Sequence, residues 1–259
     1  MSNKSLTHCR ILVTRPETSA KELCDLIEAA GGTAIHFPVL RIIAIEPNLI
    51  ADEFRQIANP DIVIFVSKNA VKHGLKILGI EKSKLAAIGP TTVAAIQEQK
   101  LTVHINPGNK FDSENLLNHA AMQNVENQNI LIVRGQNGRE ILGKTLQKRG
   151  AKVSYISVYK REHNKLPRKQ IAALDTAWQE DNIDYVTVLS VATIESLINQ
   201  LMPTSVKLLH RTMLVAPSTR VIKKASLLLP GIKALLSTGP RATDIVETIQ
   251  RHQQRELHK

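Results

Sequence analysis

The chain has 259 residues, of which 43% are hydrophobic and 22% charged, an ordinary globular balance that supports a real core and excludes disorder as the default. Thirty-four Lys and Arg against 23 Asp and Glu give a formal charge of +11, which favours an anionic partner, while aromatics at 3% leave little material for stacking nucleic-acid bases. Cys9 and Cys24 are too few for a disulfide framework, the opening MSNKSLTHCR has no apolar signal core, and no apolar run approaches the roughly 20 residues of a membrane span, so a reduced, cytoplasmic setting is expected.

RILVT at residues 10–14 reads as a strand. Pro16 then opens a helix through about Ala30, with Pro in its first turn and Gly31 and Gly32 at its end. TAIHFPV and RIIAI follow as extended runs. From Asp61, DIVIFVSKNAVKHGLKIL is an apolar strand, a Ser and a helix, and it leads to KLAAIGPTTVAAI, a strand that turns through Pro and Thr into another helix. At Ile130 the opening pattern returns as ILIVRGQNGREILGKTLQKRGAKVSYISVYKR, with Arg134 placed after its strand as Arg15 is after the first. From Asp184 the second pattern returns as DYVTVLSVATIESLINQL followed by RTMLVAPSTRVIKKA.

Two kinds of αβ pattern thus recur in the same order at an offset of about 120 residues, which marks an internal duplication. Neither pattern has enough core to stand alone, so copies must pair to complete parallel sheets. The order first, second, first, second permits sequential pairing or a nested one in which the middle of the chain is inserted between its ends.

In open parallel sheets ligands bind beyond the carboxyl ends of the strands. Arg15, Ser67, Arg134 and Ser190 follow four strands, Gly89 to Thr92 form a strand-to-helix turn, and Ala216 to Thr219 form its repeat. The hydroxyls of Ser67, Thr92, Ser190 and Ser218 are suited to capping the following helices. The N–H groups that such caps leave over are suited to carboxylates or phosphates. Charge agrees: Arg134 to Lys169 carries eleven Lys or Arg and two acids, and no acid lies between Glu195 and Asp244. Other chemistries lack their residues. IGPTT has one Gly, short of a dinucleotide fingerprint or P-loop, and HExxH, paired cysteines and G-x-S-x-G are absent. His36, His104 and His163 are scattered, so no metal site is expected, and no cofactor. Tyr159, one of three tyrosines, falls on an extended run between the proposed sheets, where a phenol either fills space or gives a proton to a leaving hydroxyl.

The ordered set ILVTRPE, FVSKNAV, AIGPTT, ILIVRG and RGAKVSYISVYKR, covering nearly the whole chain, resembles the uroporphyrinogen-III synthase family. The resemblance implies the nested α/β arrangement, two flavodoxin-like parallel-sheet domains joined by a two-stranded connection: residues 1–38 plus 166–259, the inserted 46–158, and the connecting 39–45 and 159–165, with the site in the cleft between the domains. It implies a lyase, a cytoplasmic monomer of porphyrin (heme) biosynthesis, acting on hydroxymethylbilane, a linear tetrapyrrole with eight carboxylates, through an azafulvene and a spiro intermediate. It places Arg15, Ser67, Gly89, Thr92, Arg134, Ser190 and Ser218 in substrate binding and Tyr159 at the departing hydroxyl. No cofactor, nucleic acid or membrane is implied, and a transient contact with the bilane-forming enzyme is compatible. Two places depart from the family pattern: the last turn, commonly IGPTT, reads VAPST with Ala216 for Gly, and bulky Val191 follows Ser190 where a smaller or polar residue is common. The alternative is a non-catalytic polyanion or nucleotide binder of the same architecture.

Overall fold

The computed structural model describes residues 5–80, 82–108, 112–138, 140–181 and 183–257; the opening MSNK and Arg139 of the RGQNGRE run lie outside them. In chain order the elements are β1 (Arg10–Val13), α1 (Glu17–Ala29), β2 (Thr33–His36), β3 (Leu40–Ala44), α2 (Pro47–Arg55), β4 (Ile62–Phe65), α3 (Lys68–Leu78), β5 (Lys84–Ala87) and α4 (Pro90–Gln97). There follow α5 (Ser113–Asn118), β6 (Asn129–Gly135), α6 (Ile141–Lys148), β7 (Lys152–His163), α7 (Arg168–Asp181), β8 (Tyr185–Thr187) and α8 (Val191–Gln200). The last are α9 (Pro203–Leu208), β9 (Met213–Ala216), α10 (Thr219–Leu228), β10 (Ala234–Leu236) and α11 (Ala242–Leu257).

These elements form two compact units, the first of Met1–Arg41 with Glu162–Lys259 and the second of Ile42–Arg161. The first sheet has the order β10-β9-β8-β1-β2, every adjacent pair parallel. Read in chain order within its unit this is 2-1-3-4-5, the flavodoxin-like winding. The second has the order β3-β7-β6-β4-β5, and Ile105 makes one parallel bridge to Ala86 beyond β5. It is the same winding entered at its third strand, with β3 added beyond β7. Pairing is therefore nested: each sheet takes one strand pair from each copy of the duplication, and the chain passes between the units along β3 and β7.

The registers show how closely the copies agree. Ile11 of β1 lies opposite Tyr185 of β8, and Ile130 of β6 lies opposite Ile62 of β4. At the start of each pair an aspartate accepts a backbone N–H from its neighbour, Arg10 N to Asp184 Oδ2 at 2.7 Å and Asn129 N to Asp61 Oδ2 at 2.8 Å. These carboxylates fix the register, in which a one-residue slip would exchange the faces of the strand.

Strand side chains alternate between two cores in each unit. In the second, Val63, Phe65, Leu131, Val133, Ile156 and Val158 face α3, while Ile62, Ile64, Ile130 and Ile132 pack with Leu142 and Leu146 of α6. Each such aliphatic side chain contributes roughly 1.5–3 kcal/mol on full burial. Gly74 brings α3 close to the sheet, since a Cβ there would stand 2.9 Å from a Val133 methyl. That close seat sets the height of Ser67, at the N-terminus of α3, above the strand ends. No helix among the described residues is long and apolar enough to cross a membrane.

Candidate functional site

In the second unit the strand ends bring two of the expected residues into contact. Ser67 is the N-cap of α3, and its Oγ accepts the Ala70 N–H at 3.1 Å. The same Oγ lies 3.2 Å from the hydroxyl of Tyr159. A break in strand alternation makes this possible. The pairing of β6 with β7 shifts register between Arg134 and Gly135, so Arg134 faces Ser157 but Gly135 faces Tyr159. Val158 and Tyr159, neighbours in sequence, consequently both join the core on the α3 side. Such irregularities re-aim a side chain at a strand end. Gly135 makes room for the phenol: a Cβ at that position would stand 2.5 Å from two carbons of the ring. The ring is 2% exposed, with His73 of α3 at 6.3 Å between ring centroids and the exposed Arg161 donating from Nη2 to Tyr159 Oη at 3.4 Å. Burial, with Lys72 adding to it, holds His73 below the usual histidine range.

The sequence missed Arg161 and His73. Arg161 carried a signal, because it stands two residues beyond Tyr159 and a regular strand places such residues on one face. His73 carried none before the seat of α3 was known.

Arg134 does not join this group. Its guanidinium lies over the ring of Tyr155, 4.0 Å from the centroid, and Nη1 donates to Gly138 O at 3.1 Å. Tyr155 packs on the α6 side of the sheet, opposite to Tyr159. Gly89 is the N-cap of α4, with Pro90 in its first turn. Its φ of −122° is open to any residue, and where a Cβ would stand the nearest atom is Thr92 Oγ1 at 3.9 Å, so neither backbone nor packing demands glycine. Thr92 does not cap α4; it is buried within the first turn, where its N–H bonds Gly89 O at 3.0 Å.

In the first unit Arg15 is buried, 8% exposed, with Nη2 donating to Pro240 O at 2.7 Å and Nε without a hydrogen-bond partner among the described residues. Burial lowers its pKa from the usual arginine value, against the opposing pull of Glu22 and Cys24. Its carbonyl meets His36 Nε2 at 2.9 Å. Ser190 caps α8 by accepting Thr193 N–H at 3.2 Å, and Val191 is the first residue of that helix. Ser218 is the N-cap of α10, but its hydroxyl makes no capping bond.

One sequence reading is corrected by register. Aligning VAPST with IGPTT by its letters sets Ala216 against Gly89. The sheets set Lys84 opposite Ile62 and Met213 opposite Tyr185, so Ala216, the last residue of β9, is the counterpart of Ala87, the last of β5. Two residues further on in each copy come the N-caps Gly89 and Ser218. Between the two copies, Ser218 therefore stands where Gly89 stands, and Ala216 where Ala87 stands.

Burial also acts on the two thiols and on a second phenol. Burial pushes the Cys9 thiol up to about 11, with Asp184 adding to it, and burial also raises Cys24. Tyr185 is buried at the start of β8, bonded to His252 Nδ1 at 2.8 Å and Gln253 Nε2 at 2.9 Å, and burial raises its phenol. Among the described residues no group of three or more His, Cys, Asp or Glu could hold a metal ion.

Comparison with known proteins gives one consistent result. The family model for uroporphyrinogen-III synthase HemD matches residues 21–247. The uroporphyrinogen-III synthase of Escherichia coli is 33% identical over 159 residues, which are 58% of this chain and 64% of that protein, so the match spans just under two thirds of the relative. That of Proteus mirabilis is 29% identical over 187 residues, 68% of this chain and 90% of the relative. Among solved structures, the uroporphyrinogen-III synthetase of Helicobacter pylori superposes with a TM-score of 0.62 at 12% identity, covering 94% of this chain and 99% of that one. A uroporphyrinogen III synthase of Thermus thermophilus gives 0.59 at 18% identity, covering 95% and 99%. These two likenesses bear on the fold alone.

Proposed function

Because the chain belongs to the uroporphyrinogen-III synthase family, we propose that it closes hydroxymethylbilane to uroporphyrinogen III, with inversion of ring D and loss of water. The observation that carries this reading is the setting of Tyr159, a phenol turned by a register shift, cradled by Gly135 and bonded to the cap of α3. Tyr159 gives its proton to the departing hydroxyl oxygen, the C–O electron pair leaves with that oxygen as water, and the azafulvene remains in its N-protonated, cationic form beside the phenolate. Attack on this carbon forms the spiro intermediate, whose reopening and reclosure invert ring D. General-acid help of this kind is worth about 100- to 10,000-fold.

The bilane also closes unaided to the symmetric type I isomer, so specificity is a matter of orientation. In each unit the helix starts are suited to carboxylates: in the second unit the first turns of α3 and α4, shaped by Ser67, Gly89 and Thr92 with Arg134 supplying charge, and in the first unit those of α8 and α10, shaped by Ser190 and Ser218 with Arg15 supplying charge. The open space in front of Gly89 favours close approach of a carboxylate to the backbone there. On this proposal the protein is a cofactor-free lyase and a cytoplasmic monomer, and it receives the bilane by transient contact with the enzyme that makes it.

The test generates hydroxymethylbilane in situ, oxidises the products and resolves type I from type III porphyrin by chromatography. Type III in excess is expected, and type I alone would overturn the reading. Tyr159→Phe should lower kcat at least tenfold with the circular dichroism spectrum unchanged. An unchanged rate would return Tyr159 to a packing role.

A further inference from the structure

We infer that Arg161 is a positioning residue for this step: it holds the Tyr159 oxygen as a hydrogen-bond acceptor and so leaves the phenol proton for the substrate, an inference that rests on the synthase reading. Arg161 follows Tyr159 by two residues on β7, its Nη2 donates to Oη at 3.4 Å, and its guanidinium carbon lies 5.7 Å from the ring centroid. A guanidinium can only donate, so in this contact the phenol oxygen accepts. The second neighbour fits the same polarity. Ser67 Oγ already accepts the Ala70 N–H, which leaves its own O–H free to turn toward Tyr159 Oη at 3.2 Å. With Arg161 and Ser67 both donating, the two lone pairs of the phenol oxygen are occupied and its proton points away from the protein partners. The only rearrangement needed is rotation of two hydroxyl hydrogens.

The arrangement also answers a charge problem. When the phenol proton passes to the departing hydroxyl oxygen, the C–O electron pair leaves with that oxygen as water, and a phenolate remains in a site where Tyr159 is 2% exposed. A buried anion is costly unless charged donors meet it. Arg161 is exposed, so its own charge stays hydrated while its Nη2 reaches the oxygen. The bond to it strengthens as the phenolate forms, because charge-assisted hydrogen bonds are roughly twice as strong as neutral ones. The phenolate recovers its proton from the one that the macrocycle loses at final closure, so the net change is loss of water. An interaction that grows in the transition state acts on kcat rather than on substrate affinity.

Arg161→Gln, Arg161→Lys, Tyr159→Phe and the Arg161→Gln/Tyr159→Phe double variant of the full chain test this, with kcat and KM measured separately on bilane generated in situ. Arg161→Gln is expected to lower kcat about 10- to 100-fold with KM changed by less than about threefold. Arg161→Lys should recover part of that loss, since an ammonium also only donates. On the Tyr159→Phe background the Gln substitution should cost nothing further, as expected of groups acting as a unit. Losses that multiply independently, or a loss confined to KM, would overturn the inference and make Arg161 a carboxylate contact. Type III product from the unaltered chain with an unchanged kcat for Arg161→Gln would overturn it alone. Type I product from the unaltered chain would overturn the synthase reading, and this inference with it.

Discussion

The carboxyl ends of β1 and β2 in the first unit and of β6 and β7 in the second are two copies of one construction. Val13 pairs with His36, and Ile132 pairs with Tyr155. Two residues beyond Val13 and Ile132 stand Arg15 and Arg134, each with its guanidinium on a carbonyl of its own unit. His36 touches Arg15 through its carbonyl, and Tyr155 lies under the Arg134 guanidinium. Four residues beyond His36 and Tyr155 come Leu40 and Tyr159, and the residues after the two arginines are matched by Pro16 and Gly135. Leu40 is 6% exposed and packs with Val39 in the core of its unit, as Tyr159 packs with Val158. The frame therefore needs only an apolar side chain at this place. A phenol with a glycine cut away beside it exceeds what packing asks, and the proposed proton transfer accounts for that excess.

The comparison breaks most severely at Gly135. In Gly135→Ala the new Cβ meets the Tyr159 ring at 2.5 Å, so the phenol must move off Ser67 and Arg161. A displacement of this order is expected to lower kcat about 100-fold, and overpacking should cost about 1–3 kcal/mol of stability. Turnover and urea unfolding measured on the same preparation check both. A variant that lost stability but kept its rate would show that the place of the phenol is immaterial.

That site was only partly legible in the sequence. The duplication was, because alternation and helical period repeat in the same order, and the residues following each strand could be named from it. The register shift at Gly135 was not: strict alternation puts Val158 and Tyr159 on opposite faces, and only the pairing with β6 puts them on one. The slip between IGPTT and VAPST has a related cause. Pro and Thr are favoured both at a turn and in the first turn of a helix, so matching letters carried no information about which residue ends the strand. Capping was legible at Ser67 and Ser190, and failed at Thr92, which lies inside the first turn of α4, and at Ser218, which takes the N-cap place without a side-chain bond.

Ser67 and Ser190 sharpen the same contrast by a smaller amount. Each caps a helix through its N3 N–H, so Ser67→Ala and Ser190→Ala should each lose about 1 kcal/mol in urea unfolding. Only Ser67 also touches the phenol. Its loss should lower kcat by about tenfold, whereas that of Ser190 should appear in KM. Equal kcat losses in the two variants would erase the functional difference between the units.

The smallest effect belongs to His73. It stands six residues after Ser67, and the residue six after Ser190 is Ser196, whose hydroxyl donates to Val39 O at 2.7 Å. Burial, and then Lys72, holds His73 below the histidine range in the folded protein. The unfolded chain therefore takes up the proton at higher pH than the folded one. The contribution of a neutral His73 is full above the unfolded value of about 6.5 and is lost as pH falls through the lower folded value. Replacing it by the side chain of its counterpart, His73→Ser, removes that titration. Unfolding free energies measured from about pH 7.5 to about 5.5 should fall more steeply for the unaltered protein than for the variant, by less than the loss of one helix cap. Identical slopes would mean that His73 titrates alike in both states, and that the cover over the Tyr159 ring admits water freely.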